Sequence, residues 1–422
     1  MRRLRAILGG AAGNLIEWYD WFAYASFSVY FSHIFFPPGG EIDQRLQAAA
    51  IFAIGFIARP VGAWIAGVAA DRHGRKPVLI VSVALMCLGS LIVAVLPGYD
   101  AIGPAAPVIL TLARLIQGLS LGGEYGVSAT YMSEMAGRSR RGFWSSFQFV
   151  TLISGQIVAL AVLIVLQHTL SSAALQDWGW RIAFIIGAAL AIGVWALQSG
   201  LEESASFTRR SGAPWRRRSG VMALITRFPR ETAIIFVLTS AGSLSFYAYT
   251  TYMQKYLTDT AAFSTSTAAD LNAIALLAFV LVQPVYGWLG DRIGRRRVLA
   301  FAFGAGALSA WPIFTGIAAV RSPMLALALI CAALFLLAGY TSVNAVVKSE
   351  LFPAEIRTLG VALPYALGNT VFGGTAELAA ESFRKWGFEP GFFLYLALVQ
   401  AVGFGVALRM RDTQAQSLIA ED

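Results

Sequence analysis

The stretch GVAADRHGRK at residues 67–76 recurs as GWLGDRIGRR at residues 287–296. Both copies follow an apolar run, and both place a glycine four residues before an Asp-Arg pair that a Gly-Arg pair follows. Asp71 and Asp291 occupy the same place in the two copies, at an offset of 220 residues in a chain of 422. A repeat at about half the chain length indicates that the protein consists of two related halves.

A second pair of charged residues repeats at nearly the same distance. Glu134 and Arg141 match Glu350 and Arg357, each at an offset of 216 residues. The two offsets differ only by a small change in loop length, which related halves tolerate. Parallel repeats of this kind are typical of secondary transporters.

The composition favours lipid as the surroundings of this chain. It is 57% hydrophobic with a mean hydropathy of +0.65, and its 13% of charged residues is about half the share in an ordinary soluble protein. About 20 helical residues cross the hydrocarbon core of a bilayer. Apolar runs of that length fall near residues 10–36, 47–70, 77–97, 105–133, 143–168, 180–200, 232–257, 268–290, 298–320, 323–348, 358–382 and 390–410.

The predicted fold is therefore an all-α polytopic membrane protein with twelve transmembrane helices in two pseudo-symmetric six-helix bundles. We place the first bundle at residues 1–200, a basic cytoplasmic linker at 201–231 and the second bundle at 232–422. The linker contains Arg216-Arg217-Arg218 and is interpreted as a solvated topology anchor rather than a binding site for lipid headgroups or a regulator.

The distribution of Lys and Arg predicts the orientation of the chain. With the N-terminus inside, the predicted cytoplasmic segments hold 23 basic residues and the opposite loops hold four. The positive-inside rule then places both termini in the cytoplasm. Because the net charge of +9 lies mostly in short loops between apolar runs, it is typical of contact with an anionic lipid leaflet, and we expect no nucleic-acid partner.

The sequence does not indicate an enzyme or a metal-binding protein. Cys87 and Cys331 lie inside apolar runs, which disfavours a disulfide or a zinc site. The sequence has no phosphate-binding loop, no metal-spaced His/Cys cluster and no nucleophile elbow. We therefore expect no enzyme activity, no cofactor and no metal, and transport driven by an ion gradient.

Four basic residues fall within the predicted spans: Arg59, Arg114, Lys255 and Lys348. An ionisable group in a span costs about 2.5–3.5 kcal/mol on insertion scales, so each should face a cavity or a partner. Arg59 precedes Pro60, and it is either an anion-binding residue or the partner of an acid on a neighbouring helix. Lys348 lies near a predicted helix end, where we expect its side chain to snorkel to the interface.

The candidate acids within the spans are Glu17 and Asp20 in helix 1, Glu124 in helix 4 and Glu377 in helix 11. Glu17 and Asp20 lie at i and i+3 and share one helix face, with Tyr24 one turn further on. Two like charges on one apolar helix do not both ionise readily, so this pair is the candidate proton carrier. The alternative for one of the two acids is an ion pair with Arg114 that joins helix 1 to helix 4.

The duplicated loop resembles the signature of the major facilitator superfamily, and helix 4 carries Arg114-x-x-Gln117-Gly118, which resembles a second signature of its proton-coupled members. The first copy departs from the usual loop by having Ala69 where leucine is common. In that family the loop is a latch that stabilises one access state. The resemblance therefore implies gating roles for the loop residues Asp71, Arg75, Asp291 and Arg295.

Longer stretches resemble the metabolite:proton symporter branch of this superfamily, among them GNLIEWYDWFAYAS at 13–26, GEYGVSATYMSE at 123–134 and TTYMQKYL at 250–257. The resemblance implies import of a small dicarboxylate such as 2-oxoglutarate, together with protons, across a bacterial inner membrane. Other members of the branch carry citrate, shikimate or zwitterionic osmolytes. His73 and Arg181 match positions of the branch's motifs, and we expect both to influence gating, although Arg181 is equally suited to cap helix 6.

The candidate substrate site combines Arg59 and Arg114 as anion partners with Tyr24, Tyr249 and Tyr252 as hydrogen-bonding wall residues. Each tyrosine has a packing or interface role as its alternative. The expected partners are a small organic anion, protons and the lipid bilayer, and we expect a monomer. A non-transporting membrane sensor is a distant alternative that would predict substrate binding without flux and a soluble output domain, which we do not expect here.

Overall fold

The computed structural model describes residues 2–37, 41–201, 203 and 220–419. Every element in these ranges is helical, which confirms the all-α prediction. The twelve longest helices of the described chain are α1 (Arg2–Phe35), α2 (Glu41–His73), α3 (Arg75–Val95), α4 (Ala105–Met135), α5 (Phe147–Thr169), α6 (Trp180–Ser199), α7 (Pro229–Tyr247), α8 (Thr265–Ile293), α9 (Arg295–Ala319), α10 (Pro323–Thr341), α11 (Arg357–Gly368) and α12 (Pro390–Arg409).

Shorter helical pieces extend or join these helices. π-helical turns follow α7 and α11, where one extra residue enters the turn and bends the axis. The pieces are Tyr99–Ile102, Arg138–Arg140, Arg141–Ser145, Ser172–Ala174, Leu175–Gly179, Val221–Arg227, Ala248–Tyr252, Met253–Asp259, Asn344–Leu351, Asn369–Gly373 and Ala376–Lys385.

Ten segments within the described residues are long and apolar enough to cross a membrane. The segments that contain α1 and α11 are not among them. The middle of α1 carries Asn14, Glu17 and Asp20, which lower its mean hydropathy. The α11 segment is interrupted by the π-helical turn Asn369–Gly373 and continues as Ala376–Lys385. Polar side chains therefore explain the absence of α1, and an irregular backbone explains the absence of α11. Membrane proteins tolerate both features where protein encloses them.

The chain divides into two compact units. The first comprises Met1–Met135 and Thr151–Arg217, and the second comprises Ala136–Val150 and Arg218–Asp422. The predicted bundle boundaries at residues 200 and 232 stay a prediction, and most of the predicted linker at 201–231 lies outside the described residues.

The segment before α5 belongs to the second unit because its backbone contacts α8 directly. A Cβ built on Gly142 would lie 2.5 Å from the carbonyl oxygen of Gly287. This distance is far below van der Waals contact, so only glycine permits the two backbones to meet. The glycine that opens the second copy of the repeated loop is therefore a packing residue.

In the first unit, α2 and α4 also pack backbone to backbone. A Cβ on Gly122 would lie 2.1 Å from the carbonyl oxygen of Arg59, and one on Gly62 would lie 2.0 Å from the carbonyl oxygen of Leu119. Small residues spaced along facing helices allow such an approach, and dispersion over the contact then stabilises the pair. This packing holds Arg59 against α4.

We expect Gly122→Ala to lower the melting temperature of the purified protein, because the added methyl group must push α2 and α4 apart. Thermal unfolding in detergent measures the effect. Gly193→Ala on α6 is the matched control, since no atom lies within 4 Å of its built Cβ. That change should be neutral or stabilising by about 0.5–1 kcal/mol, because alanine is the better helix former. Equal melting temperatures for the two variants would contradict the packing argument.

Candidate functional site

A buried charge cluster joins α1, α3 and α4 in the first unit. The Arg114 guanidinium donates from Nη1 to Gln117 Oε1 at 2.7 Å, and Gln117 Nε2 donates to Asp20 Oδ2 at 2.5 Å. Arg114 Nη1 also lies 3.7 Å from Asp20 Oδ2, and the hydroxyl of Ser90 donates to Asp20 Oδ1. Arg114 and Asp20 are both buried. The ion pair between helix 1 and helix 4 that the sequence left open is therefore present, with Asp20 as its acid.

Glu17 lies on the same helix in a different environment. Its Oε1 is 2.5 Å from the hydroxyl of Ser120 on α4, which also lies 2.8 Å from the carbonyl oxygen of Ser82 on α3. Glu17 is fully buried. The two acids that share one face of α1 thus contact different side chains, so they are chemically distinct.

Arg59 on α2 is surrounded by aromatic rings. Its guanidinium carbon lies 3.8 Å from the centroid of Phe56, 4.1 Å from that of Trp21 and 5.4 Å from that of Trp18. Each such contact is worth about 0.5–2 kcal/mol, and the larger values apply to desolvated sites. Arg59 is 2% exposed, so these rings contribute to keeping a cation inside the bundle.

Tyr24 completes the aromatic lining on α1. The guanidinium carbon of Arg114 lies 4.2 Å from the centroid of Tyr24 and 4.5 Å from that of Trp21. Tyr24 donates its hydroxyl proton to the carbonyl oxygen of Ala48 at 3.2 Å. Trp21 therefore contacts both arginines, and the structure brings together Arg59, Arg114, Tyr24, Glu17 and Asp20 in one cluster.

The two predicted tyrosines of the second unit pack within that unit. Tyr249 stacks on Phe314 with ring centroids 5.5 Å apart, and Tyr252 packs edge-on against Phe392 at 5.3 Å. Tyr252 also donates to Glu389 Oε1 at 3.2 Å. These contacts agree with the packing alternative, and the role of the tyrosines as substrate-contacting wall residues stays a prediction.

The expectation that Lys348 snorkels to the interface is wrong. The residue is 1% exposed, its Nζ lies 4.3 Å from the ring centroid of Tyr365, and it donates to the hydroxyl of Tyr340 at 3.5 Å. Helix Asn344–Leu351 turns it into the second unit instead of towards an interface. Its neighbours Ala345, Val346 and Val347 were a sequence signal of burial.

The first copy of the repeated loop forms a buried ion-pair group at the end of α2. Arg75 Nη2 lies 3.0 Å from Glu134 Oε1 on α4 and 3.8 Å from Asp71 Oδ1. All three side chains are buried. His73 lies outside this group, because it is exposed and its Nδ1 lies 3.2 Å from the carbonyl oxygen of Ala69 in its own helix. The gating roles of Asp71, His73 and Arg75 stay predictions.

The second copy combines an ion-pair group with a helix N-terminus. Asp291 accepts from the backbone N–H groups of Gly142 at 2.7 Å and Phe143 at 2.9 Å, at the start of helix Arg141–Ser145. Its Oδ1 also lies 3.1 Å from Arg295 Nη2. A carboxylate at a helix N-terminus satisfies backbone donors that have no partner in the helix.

Glu350 links this loop to the residues that repeat with it. Its Oε2 lies 3.3 Å from Arg295 Nη1, and its Oε1 lies 3.9 Å from Arg141 Nη1. Asp291, Arg295 and Glu350 of the second copy therefore meet in one group, together with Arg141 of the first copy.

Arg181 caps a helix other than its own. Its Nη1 donates to the carbonyl oxygens of Ala94 at 3.2 Å and Leu96 at 3.0 Å, at the C-terminal end of α3, and its guanidinium lies over the ring of Trp180. A cation there satisfies carbonyl groups at the negative end of the helix dipole. The sequence indicated capping but named the wrong helix, and the gating role stays a prediction.

Sequence reasoning missed the hydroxyl groups of the cluster, Ser90 and Ser120. A single serine in an apolar helix carries no pattern, because serine is common at helix contacts in membranes. The described residues contain no group of three or more His, Cys, Asp or Glu side chains placed to hold a metal ion.

The chain is similar to known families and proteins over most of its length. The profile of the Sugar (and other) transporter family matches residues 6–213, and that of the Major Facilitator Superfamily matches residues 233–418. The chain is 47% identical to the alpha-ketoglutarate permease of Escherichia coli over 97% of its own length and 94% of that protein. It is 30% identical to the citrate-proton symporter of Klebsiella pneumoniae over 94% of its own length and 90% of that protein.

The solved structure of the proton:xylose symporter XylE bound to 6-bromo-6-deoxy-D-glucose has the same fold. It superimposes with a TM-score of 0.83 at 18% identity, covering 99% of this chain and 98% of that one. The prediction of a twelve-helix fold built from two six-helix bundles is thereby confirmed.

We expect Glu350→Gln to destabilise the protein by about 1.5–3 kcal/mol, because it removes one of the two carboxylates beside the buried cations Arg295 and Arg141 and leaves Asp291 as the other. Thermal unfolding in detergent is the measurement. The matched control is Glu377→Gln, since Glu377 pairs with Lys255 where both side chains are at least 40% exposed, and such pairs contribute about 0–1 kcal/mol. A control as destabilised as Glu350→Gln would count against a special role of buried charge.

Proposed function

Because the chain belongs to the major facilitator superfamily, we propose that it is a proton-coupled symporter that imports 2-oxoglutarate or a closely related dicarboxylate by alternating access. The observation that carries this proposal is the pair of buried arginines, Arg59 and Arg114, beside the carboxylates Glu17 and Asp20. The relative named alpha-ketoglutarate permease, which aligns with 97% of the chain, supports this substrate class.

The two arginines are suited to an organic anion for a chemical reason. A guanidinium presents N–H donors in a planar fork that matches a carboxylate, while its faces stack on aromatic rings. Aromatic faces hold Arg59 over Phe56 and Trp21, and Arg114 over Tyr24. Substrate binding at these guanidinium edges would add charge-assisted hydrogen bonds in a site where water is scarce.

The contact between Arg114 and Asp20 supplies a route to proton coupling. Asp20 as a carboxylate competes with an anionic substrate for the Arg114 guanidinium. A proton on Asp20 removes that competition, so proton binding strengthens substrate binding, and by reciprocity substrate binding strengthens proton binding. The two ligands then cross together, which is symport.

The repeated loops belong to the gating part of the proposal. Their ion pairs lie at the ends of α2 and α8, where Arg75 contacts Glu134 and Arg295 contacts Glu350. Alternating access requires groups whose contacts differ between states. We propose that these loops stabilise one access state. We also propose that the protein is a monomer in a bacterial inner membrane, with both termini in the cytoplasm.

Uptake into proteoliposomes tests the proposal directly. Purified protein is reconstituted, a pH gradient is imposed, and accumulation of labelled 2-oxoglutarate is followed against unlabelled 2-oxoglutarate, citrate, shikimate and betaine. We expect uptake that rises with the gradient and that 2-oxoglutarate inhibits best. Better inhibition by citrate or shikimate would reassign the substrate, indifference to the gradient would exclude coupling, and binding without flux would favour a sensor.

We expect Arg59→Gln to reduce uptake of 2-oxoglutarate about 10- to 100-fold, since a hydrogen bond to a charged group contributes about 1.5–3 kcal/mol. The loss should appear mainly as a higher KM. Arg59→Lys keeps the charge but not the planar fork, so it should restore uptake only in part. The control is Lys385→Gln, an exposed cation near the end of Ala376–Lys385. Unchanged uptake in Arg59→Gln would remove Arg59 from the binding site.

A further inference from the structure

Glu124 is a buried acid of the first unit to which the proposed function assigns no role. Glu124 on α4 is fully buried, and within the described ranges no hydrogen-bond donor contacts either of its carboxyl oxygens. A buried ionised carboxylate without donors is strongly destabilising, whereas its protonated form is neutral. The position therefore favours a carboxyl group that holds a proton in this state.

Space for this carboxyl group is made by a glycine on α1. A Cβ built on Gly13 would lie 2.5 Å from Glu124 Oε1 and 2.6 Å from Gln198 Nε2. Any side chain at this position would displace the Glu124 carboxyl group or the Gln198 amide. Gly13 lies one helical turn before Glu17, just as Ser120 lies one turn before Glu124. The carboxyl group of Glu124 on α4 thus lies against α1, and one helical turn along, the carboxyl group of Glu17 on α1 lies against α4.

The surroundings of Glu124 contain acceptors that lack donors. Gln198 Oε1 and Glu17 Oε2 are both buried with no hydrogen-bond partner in the described part of the chain. An ionised Glu124 adds two more acceptors, while a protonated one supplies a donor. This group of side chains therefore lacks hydrogen-bond donors, and a proton on a carboxyl group supplies one.

The hydrogen bonds of Ser120 lead to the same conclusion for Glu17. The hydroxyl has one proton, and it lies within hydrogen-bond distance of the Ser82 carbonyl oxygen and of Glu17 Oε1. If Ser120 donates to the carbonyl oxygen, the contact with Glu17 requires a proton on Glu17. A proton on either acid removes the charge repulsion between Glu17 and Glu124 and adds one hydrogen-bond donor to the group.

The charged groups that act on this pair come from α1 and α2. Glu17 is the ionisable group that acts electrostatically on Glu124, and Glu17 in turn is influenced by Arg59 on α2 and by Asp20 on its own helix. The facing residue of α6 is the neutral Gln198. The charge on Glu124 is thus coupled through Glu17 to the arginine proposed to bind substrate.

The second half of the chain shows that helix packing does not require this acid. At the repeat offset of 216 residues, the α4 residues Arg114, Gln117, Ser120 and Glu124 correspond to Ile330, Ala333, Leu336 and Tyr340 on α10. Tyr340 packs against a glycine of α7, because a Cβ on Gly242 would lie 1.9 Å from its ring. The same helix contact is thus made with an aromatic ring in one unit and with a carboxyl group in the other.

We infer that Glu124, together with Glu17, is a proton-binding site of the transport cycle, separate from Asp20. In the buried state the pair holds one proton as a carboxylic O–H group, taken from the solution on one side of the membrane. The proton is released to water on the other side when the site opens there. The inference deepens the proposed function and rests on it.

The test compares two assays on the full-length protein in proteoliposomes, with labelled 2-oxoglutarate as the probe. Accumulation driven by an imposed pH gradient requires net proton movement, whereas exchange of labelled for unlabelled substrate at equal pH does not. We expect Glu124→Gln to lower the accumulation ratio about tenfold per unit of imposed pH gradient without abolishing it, since one proton fewer crosses with each substrate while Asp20 still couples. Exchange should stay within about twofold of wild type, because glutamine keeps the shape of the side chain.

Two further variants keep the test decisive. Glu124→Asp retains a carboxyl group and should recover part of the accumulation, while the exposed acid variant Glu377→Gln should behave as wild type. Accumulation by Glu124→Gln equal to wild type would overturn the inference and leave the symport proposal intact. Equal loss of accumulation and exchange in the Gln and Asp variants would also overturn it, by indicating a structural role. A wild-type protein that does not couple uptake to the pH gradient would overturn both.

Discussion

A charged side chain inside an apolar helical bundle must be compensated by other groups, and this constraint organises the protein. Desolvation of an ion in a low-dielectric interior costs several kcal/mol unless charges or hydrogen bonds offset it. The structure meets the constraint in two ways. Arg114, Arg75 and Arg295 lie beside acids of their own unit, while Arg59 and Lys348 lie against aromatic faces.

These two solutions have different consequences for function. A guanidinium held by an acid gains or loses that partner when the acid takes up or releases a proton, so its availability depends on protonation. A guanidinium that lies on aromatic rings keeps those contacts whichever protonation state the nearby acids have. In the proposed mechanism Arg114 and Arg59 are therefore complementary, with Arg114 assigned to coupling and Arg59 to a positive charge for the anion.

Close backbone packing is what makes the charge cluster possible. Without a Cβ at Gly122 and Gly62, α2 reaches α4 closely enough to place Arg59 beside it. Gly13 has the same effect between α1 and α4, where it leaves room for the carboxyl group of Glu124. In a membrane, where lipid is as apolar as the helices, such close contacts are a main source of helix association. The residues that stabilise the bundle thus also position its chemistry.

The two units use the same scaffold for different purposes. At the repeat offset, Arg114 and Glu124 of α4 correspond in sequence to Ile330 and Tyr340 of α10. In the described part of the second unit, the ring of Tyr340 packs against Phe303 with centroids 5.2 Å apart. The residues at matching positions of a duplicated chain can therefore differ in chemistry while each half retains its own helix contacts.

The sequence by itself determined the helical class, the duplication and the residues that carry charge within the spans, because hydropathy and spacing along one chain report these directly. It identified Arg59 and Arg114 as candidate anion partners and Glu17 and Asp20 as candidate proton carriers without showing which acid contacts which base. Only the tertiary structure decided that Asp20 pairs with Arg114. Rotation of each helix about its axis and the crossing angles between helices set such contacts, and neither leaves a periodic signal in the sequence.

The same reason explains the predictions that were wrong or incomplete. Lys348 appeared near a helix end by counting residues, yet a turn between α10 and helix Asn344–Leu351 directs it into protein. Arg181 was recognised as a capping residue, but it caps the end of α3, where its partner Leu96 is 85 residues away in sequence. Contacts between distant segments depend on packing in three dimensions, so composition and spacing indicated the chemistry of the site and the fold alone decided its partners.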